Sequence, residues 1–477
     1  MTQVYHQVKY RLVKPAYKAL DAPTVKISGF KTEPIPRYLS LKGNVFTFLN
    51  LEHEFAGWNY TENGMLWAYN QNYFDFINQN IISPEECCQW IDKFIEELPL
   101  NKVGLDPYPI ALRSINWIKF FCQYPECATK ERLDPLYSQL RLLEKKLEFH
   151  LLGNHLLEDA YALYIGAAYF NNNQLLKKAR KLLLGQLEEQ ILTDGAHYEQ
   201  SPMYHCILLD RLLDCINMGE RMAVNGVELR KYASLMLGHL ESIVWSDNSI
   251  PLLNDAAYGI APTPEQLFDY ARRLDVRWEA IPMQECGYRK LNNERLEAIV
   301  DVGNITATYQ PGHTHADTFN YELRIDGKPF IVDTGISTYN KNERRQLERS
   351  TIAHNCVSPN EQNSSEVWGG FRVGRRCDVR CKKEEVKSIE ASHNGFEKTC
   401  KRRFEMTESG FVVEDWYDGE AVSYVHLAEG VDENKVIVEG AKSVEVKPWK
   451  YSTEYNRFHD GKVMEIYFNG YLKYSII

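Results

Sequence analysis

The sequence predicts an α+β chain of two main parts, a run of paired helices followed by an antiparallel β-sandwich. Two changes of texture carry this. From about Ser83 to Arg273 the apolar residues recur at helical spacing, and after about Leu291 they alternate or gather in aromatic and β-branched runs. A third observation is length, because 477 residues exceed what one small core serves and call for two or three domains.

Residues 1–80 are mixed and rich in aromatics, and are placed with the helical part as an N-terminal arm. Within 81–290, Leu152, Leu156, Leu157, Ala160, Leu163, Tyr164, Ala167 and Ala168 mark one helix, and Leu175 to Ile191 mark a second that stops near Gly195. Ser201 is the expected N-cap of a third, with Pro202 at its first position. Short links between such helices imply antiparallel neighbours, so the part is a bundle or a toroid of helical hairpins. The change of period falls between Trp278 and Leu291. In 291–477, strands are expected at Ile305–Tyr309, Tyr321–Ile325, Phe411–Trp416, Val436–Val438 and Val463–Tyr467, with turns at Asp326-Gly327, Ser409-Gly410 and Asn469-Gly470.

Hydrophobic residues make up 44% of the chain, enough for a globular fold, and the net charge of -10 argues against general nucleic-acid binding. Arginines nevertheless cluster at Arg344-Arg345, Arg349, Arg372 and Arg375-Arg376, where an anionic substrate could meet them. The 11 cysteines show no paired CxxC spacing and read as free thiols of a reducing compartment. Met1 to Lys9 has no apolar signal core and no run of 18 apolar residues occurs, so the expectation is a cytoplasmic protein without a membrane span, or a periplasmic one if a leader precedes this chain.

The densest chemistry lies in Pro311-Gly312-His313-Thr314-His315-Ala316-Asp317, followed by Asp333 and Ala353-His354-Asn355. On a strand, His313 and His315 share a face. Two imidazoles and a carboxylate suit zinc with one open position, and His315, Asp333 and His354 are the expected ligands, leaving His313 for acid–base work. Standing alone, the motif would read as a surface loop. A two-residue turn at Asp326-Gly327, which the apolar pattern of Phe319, Tyr321, Leu323, Phe330 and Val332 prefers, puts Asp333 on the wrong face for His315. A metal there therefore requires a three-residue loop with Gly327 in a bulge, or a broken strand nearby.

The helical half holds its own polar segments, Gly153-Asn154-His155 and Asp194 to His205. Taken with Leu66-Trp67-Ala68-Tyr69-Asn70, Arg113-Ser114-Ile115-Asn116-Trp117, Glu199-Gln200-Ser201-Pro202-Met203-Tyr204-His205, Gly312 to Asp317, Val332-Asp333-Thr334-Gly335 and Ala353-His354-Asn355, they resemble the heparinase II/III-like polysaccharide lyases. The resemblance implies an N-terminal incomplete (α/α) toroid, a C-terminal antiparallel β-sandwich and an active cleft between them. It also implies a divalent metal, usually zinc, at His315, Asp333 and His354 that orders the cleft.

Such a lyase removes the proton beside a uronate carboxylate and expels the 4-linked oxygen, so one group must neutralise the carboxylate, one take the proton and one return it. Asn154 suits the first task, with His155 or Arg113 assisting. The resemblance places the catalytic tyrosine at Tyr204, with His313 as its partner. A free tyrosine ionises near ~10, so Tyr204 acts as the acid or its site favours the phenolate; a helix start with imidazoles or a metal nearby would lower the value. Tyr339 is a second candidate. Trp67, Tyr69, Tyr73, Trp117 and Trp368 are candidate sugar-stacking groups, Asn116 stands with them, and Arg372, Arg375 and Arg376 are candidate contacts to carboxylate or sulfate. Two rival readings remain: a glycoside hydrolase using two of Asp194, Glu199, Glu158 and Asp159, and a silent polysaccharide-binding protein. The expected partner in each case is an anionic polysaccharide or oligosaccharide; its identity and the oligomeric state leave no trace in the sequence.

Overall fold

The computed structural model describes residues 5–8, 10, 15–25, 29–221 and 226–477. Part of Met1–Lys9, on which the expectation about a leader rests, lies outside them. The chain separates into two compact units whose segments alternate along the sequence: 1–190, 207–234 and 265–278 form the first, and 191–206, 235–264 and 279–477 the second.

The first unit is built from helices, among them Met65–Tyr73, Pro84–Glu97, Pro107–Gln123, Lys130–Lys146, Gly153–Tyr169, Asn173–Gln190 and Pro264–Arg273. Gly153–Tyr169 is buried on every face apart from His155, which is why its sequence is apolar all round instead of striped. The aromatics of the N-terminal arm find their use here. The arm forms the small antiparallel sheet Leu41–Lys42, Val45–Phe48 and Leu51–Glu54, and Phe46, Trp58 and Phe74 pack edge-to-face or stacked with Trp90, Phe94 and Trp117.

The β half of the second unit, expected as an antiparallel sandwich, is mainly a curled antiparallel sheet of twelve strands. Its path runs Val379–Glu385, Ser388–His393, Cys400–Met406, Phe411–Leu427, Lys328–Ile331, Tyr321–Ile325, Leu296–Asp301 and Tyr288–Asn292. The long strand Arg457–Ile476 pairs with Phe411–Leu427 and carries Val436–Glu439 and Ser443–Glu454. Inward residues from nearly every strand, such as Val300, Leu323, Phe404, Val413, Ile466 and Leu472, belong to one core, so the sheet curls around it. Ile305–Tyr309, expected as a strand, runs as loop.

At the hairpin beside Asp333, Ile325 faces Lys328 across Asp326-Gly327, and both turn residues have positive φ (50° and 76°). This is the tight two-residue turn that the apolar pattern prefers. The register then slips, with Arg324 opposite Pro329 but Leu323 opposite Ile331, so Phe330 is an extra residue. The bulge expected near Asp333 is present, and it lies in the strand instead of the turn. No helix among the described residues is long and apolar enough to cross a membrane, and the eleven cysteines are free thiols.

Candidate functional site

A polar cluster of the second unit is assembled from four segments: 194–204, Asn254-Asp255, the His313–Asp317 loop and 333–354. Ser201 caps the helix Pro202–Arg221 as expected. Its Oγ accepts from the Tyr204 N–H at 3.3 Å and donates to the Asp255 carbonyl at 2.6 Å. Before it, Gln200 sits at φ 57°, and its carbonyl accepts from Tyr288 Oη and Asn254 Nδ2. The cap and this kinked entry fix Tyr204 in the first helical turn.

The histidine motif is loop, so the shared strand face expected for His313 and His315 does not exist. Main-chain ties shape it instead. Asp255 N–H donates to the His313 carbonyl, His315 N–H to Asn254 Oδ1, Arg349 Nη2 to the Thr314 carbonyl, and Thr351 Oγ1 to the Ala316 carbonyl. The two rings consequently meet different partners. His313 stacks on the Tyr204 ring at 3.8 Å and 20°, with Nδ1 on the Glu199 carboxylate. His315 Nε2 lies 2.7 Å from Asp255 Oδ1, and Arg345 grips both oxygens of Asp255 at 2.5 and 2.7 Å.

Tyr204 Oη is 3.3 Å from Tyr339 Oη, and Tyr339 is held edge-on by Phe371 and Tyr455 with the Arg345 guanidinium 4.8 Å from its ring. Burial raises the Tyr204 phenol well above the ordinary tyrosine value; the Tyr339 hydrogen bond pulls the other way, and the Asp255 and Glu199 charges push further up. Burial and Asp255 do the same to Tyr339. A lowered Tyr204 was one expectation; burial, Asp255 and Glu199 push it upward instead, against the Tyr339 hydrogen bond and Arg345. Burial works against the Asp255 charge as well, but Arg345 and His315 more than offset it and hold that carboxyl well below its usual range.

Of the expected metal trio, His354 Nδ1 is 2.8 Å from Asp333 Oδ2, and the His315 and His354 rings are 5.2 Å apart. Asp333 also accepts from Asn320 Nδ2 and the Gly335 N–H. Gly335 is required there: at φ 68°, a Cβ would lie 1.8 Å from the Ser452 carbonyl oxygen. All three side chains are buried, and His315 Nδ1 and His354 Nε2 have no hydrogen-bond partner. Two open imidazole nitrogens beside a carboxylate suit a divalent cation. Among the described residues, however, the group whose ligand atoms all lie within 4.8 Å of one another is a different one, Asp194, His239 and Cys286.

In the first unit, Asn154 and His155 open the helix Gly153–Tyr169 behind two positive-φ residues, Leu152 (60°) and Gly153 (58°). Asn154 is buried, while His155 is half-buried with Nδ1 3.1 Å from Glu148 and its ring against Tyr108. Three expected substrate contacts are instead core groups. Arg113 is 1% exposed, donates to Gln139 Oε1 and to the carbonyls of Asn72 and Gly104, and burial pulls it down to about 9. Asn116 donates to the Tyr73 carbonyl and Asp75, and Trp117 packs between Phe74 and Phe94. Trp67 and Tyr73 are likewise buried. Tyr69 is half-buried and donates to Asp106.

The arginines of the second unit divide. Arg345 and Arg349 are internal, and Arg376 donates to the Ala307 carbonyl, whereas Arg372 and Arg375 are exposed. Trp368, also exposed, pairs across a short hairpin with Arg372. The hydrolase carboxylates are all sequestered. Glu158 is fully buried and pushed up to about 7 by burial, which outweighs Arg211; Asp159 accepts from the Glu148 N–H; Asp194 accepts from the Gln284 and Cys286 N–H groups; Glu199 holds His313. Asp255 escaped the sequence reading altogether. Its only signal is a polar Asn254-Asp255 pair closing the apolar run Ile250 to Leu253.

Residues 132–272 match the family model described as heparinase II/III N-terminus, and 275–463 the one described as heparinase II/III-like, C-terminal. A heparin-sulfate lyase of Bacteroides thetaiotaomicron is 21% identical over 334 residues, which cover 58% of this chain and 46% of that protein; the chain thus spans about half the length of this curated relative. Among solved structures, a heparinase III superposes with a TM-score of 0.65 at 16% identity, covering 88% of this chain and 79% of the other. The heparan sulfate lyase HepC from Pedobacter heparinus gives 0.56 at 13%, covering 99% and 87%.

Proposed function

The chain belongs to the heparinase II/III-like polysaccharide lyase superfamily, and from that premise we propose that it is a carbon–oxygen lyase cleaving a uronic-acid-containing polysaccharide or oligosaccharide by β-elimination. The observation that carries the reading is the Glu199–His313–Tyr204 stack, which puts a proton acceptor and a proton donor ring to ring. A carboxylate at Nδ1 fixes that nitrogen as the protonated one and leaves the Nε2 lone pair for a substrate proton. Tyr204, raised by burial, keeps its O–H at neutral pH and so acts as an acid.

In this mechanism His313 Nε2 takes the proton from the carbon beside the uronate carboxylate, and Glu199 stabilises the imidazolium. The electron pair forms the C4–C5 double bond as the C4–O bond breaks. The Tyr204 O–H protonates the departing oxygen, and Tyr339 hydrogen-bonds the phenolate that remains. Trp368, Arg372 and Arg375 offer an exposed ring and two cations to a sulfated or carboxylated chain.

His315, Asp333 and His354 would hold a divalent metal whose contribution is to order this core. A uronic-acid polysaccharide panel tests the reading. Elimination yields an unsaturated uronate absorbing in the ultraviolet; reducing ends without that absorbance would establish hydrolysis instead.

A further inference from the structure

Outside the Tyr204 cluster, three segments of the second unit converge on a second set of metal-binding side chains. Asp194 lies in the loop after Ile191, His239 on the helix segment Leu235–Ile243, and Cys286 in the turn before the strand Tyr288–Asn292. One ligand atom from each lies within 4.8 Å of the others, and all three residues are buried, at 3%, 3% and 0% exposure. The loop is pressed onto the helix segment so closely that a Cβ at Gly195, which has φ 81°, would lie 2.1 Å from the Leu235 carbonyl oxygen.

Two further observations point to a ligand. His239 Nδ1 has no hydrogen-bond partner although its residue is buried, and the ring also hydrogen-bonds the Asp194 backbone. Asp194 is oriented by its surroundings: Oδ2 accepts from the Gln284 and Cys286 N–H groups, both at 2.9 Å, Oδ1 has a long contact of 3.3 Å from the Ala196 N–H, and the Cys286 thiol hydrogen-bonds the carboxylate. A carboxylate whose outer oxygen is fixed by the backbone presents its inner oxygen at little entropic cost.

We propose that Asp194, His239 and Cys286 bind a divalent metal ion of the zinc type, distinct from the His315, Asp333 and His354 trio. Sulfur, imidazole and carboxylate are a zinc donor set, and a tetrahedral ion needs its ligand atoms about 3.6 Å apart. Atoms within 4.8 Å of one another therefore have to approach by about 1.2 Å at most. Binding replaces the Cys286 thiol proton, which leaves to solvent, with the cation. A cavity of about 10 Å³ beside His239, lined also by His197, Ser201 and His205, has room for one water. His205 supplies no ligand atom, because its Nε2 faces the Met236 carbonyl and its Nδ1 accepts from the His197 N–H. The ion would join the loop that leads into Glu199, Ser201 and Tyr204 to the helix segment and to the sheet's first strand, so its work is structural.

Cobalt(II) tests this without any substrate. Added to the chelator-treated, folded full chain, it gives a sulfur-to-cobalt charge-transfer band in the near ultraviolet if Cys286 is a ligand; the other trio contains no sulfur and cannot produce it. The expected result is a band that survives His354→Ala and disappears in Cys286→Ser, with zinc content falling by about one ion per chain in Cys286→Ser. His239→Gln should weaken zinc binding by about 100-fold or more. A wild-type chain that remains folded without the band, or a Cys286→Ser chain that retains both the band and its zinc, overturns the proposal. Either result is independent of whether the protein is a lyase.

Discussion

Two of the buried polar clusters among the described residues differ in a way that separates a scaffold from a site. In the first unit, Arg37, Lys119 and Arg211 meet Asp210, Asp214 and Glu158 at 2.5–3.6 Å, with every side chain at most 8% exposed and Tyr270 donating to Asp214. Cations and anions alternate there, and each answers the charge of the next. In the second unit the carboxylates Glu199, Asp255 and Asp333 each touch a histidine, two tyrosines share a hydrogen bond, and His315 and His354 keep open nitrogens. Burial and polarity are common to both. What distinguishes the second is its residue types, histidine and tyrosine set beside carboxylates, since buried atoms without a hydrogen-bond partner occur in both, Lys119 Nζ and both Glu158 carboxylate oxygens among them in the first.

The largest effect should follow from breaking the second cluster at its proton carrier. His313→Ala is expected to lower kcat about 1,000-fold with an unchanged fold, and Glu199→Gln, which loses the carboxylate that fixes the ring, about 100-fold; steady-state kinetics with a circular dichroism control checks both. Next comes Asp255→Asn. Arg345 would then be buried without its counter-charge, costing about 3–5 kcal/mol, read as a lower denaturation midpoint.

The first cluster offers a converse test in Glu158. Its native carboxyl, at about 7 against an ordinary 4.5, binds a proton more tightly than the unfolded one. Between those values the native state holds more protons, so stability should fall as pH rises through the window, by on the order of 3 kcal/mol. Glu158→Gln should remove that fall and leave activity intact. The smallest effect is expected at the surface, where Trp368→Ala with Arg372→Ala should raise KM several-fold and leave kcat nearly unchanged.

The elements most legible in sequence were those with a local cause. Ser201-Pro202 announced a helix start, Asp326-Gly327 a tight turn, and the run from Leu152 to Ala168 a buried helix. The motif residues Tyr204, His313 and Tyr339 do come together, 3.8 Å ring to ring in one pair and 3.3 Å oxygen to oxygen in the other. What stayed hidden depends on contacts distant in sequence. The His313–His315 loop takes its shape from Asn254-Asp255, about sixty residues earlier, and no periodicity records such a tie. Arg113, Asn116 and Trp117 read as binding groups because guanidinium, amide and indole serve a core and a sugar equally well until burial is known. Which of Tyr204 and His313 is base and which acid was open because it depends on the C5 stereochemistry of the substrate, which the sequence does not report.

The most direct test of the claim that proton transfer resides in the second cluster compares Tyr204→Phe with Glu158→Gln on the first polysaccharide that gives an unsaturated uronate, following ultraviolet absorbance at equal folded protein. The account requires Tyr204→Phe to lose about three orders of magnitude in rate while Glu158→Gln keeps most of the wild-type rate. An active Tyr204→Phe enzyme, or an inactive but folded Glu158→Gln enzyme, would contradict it.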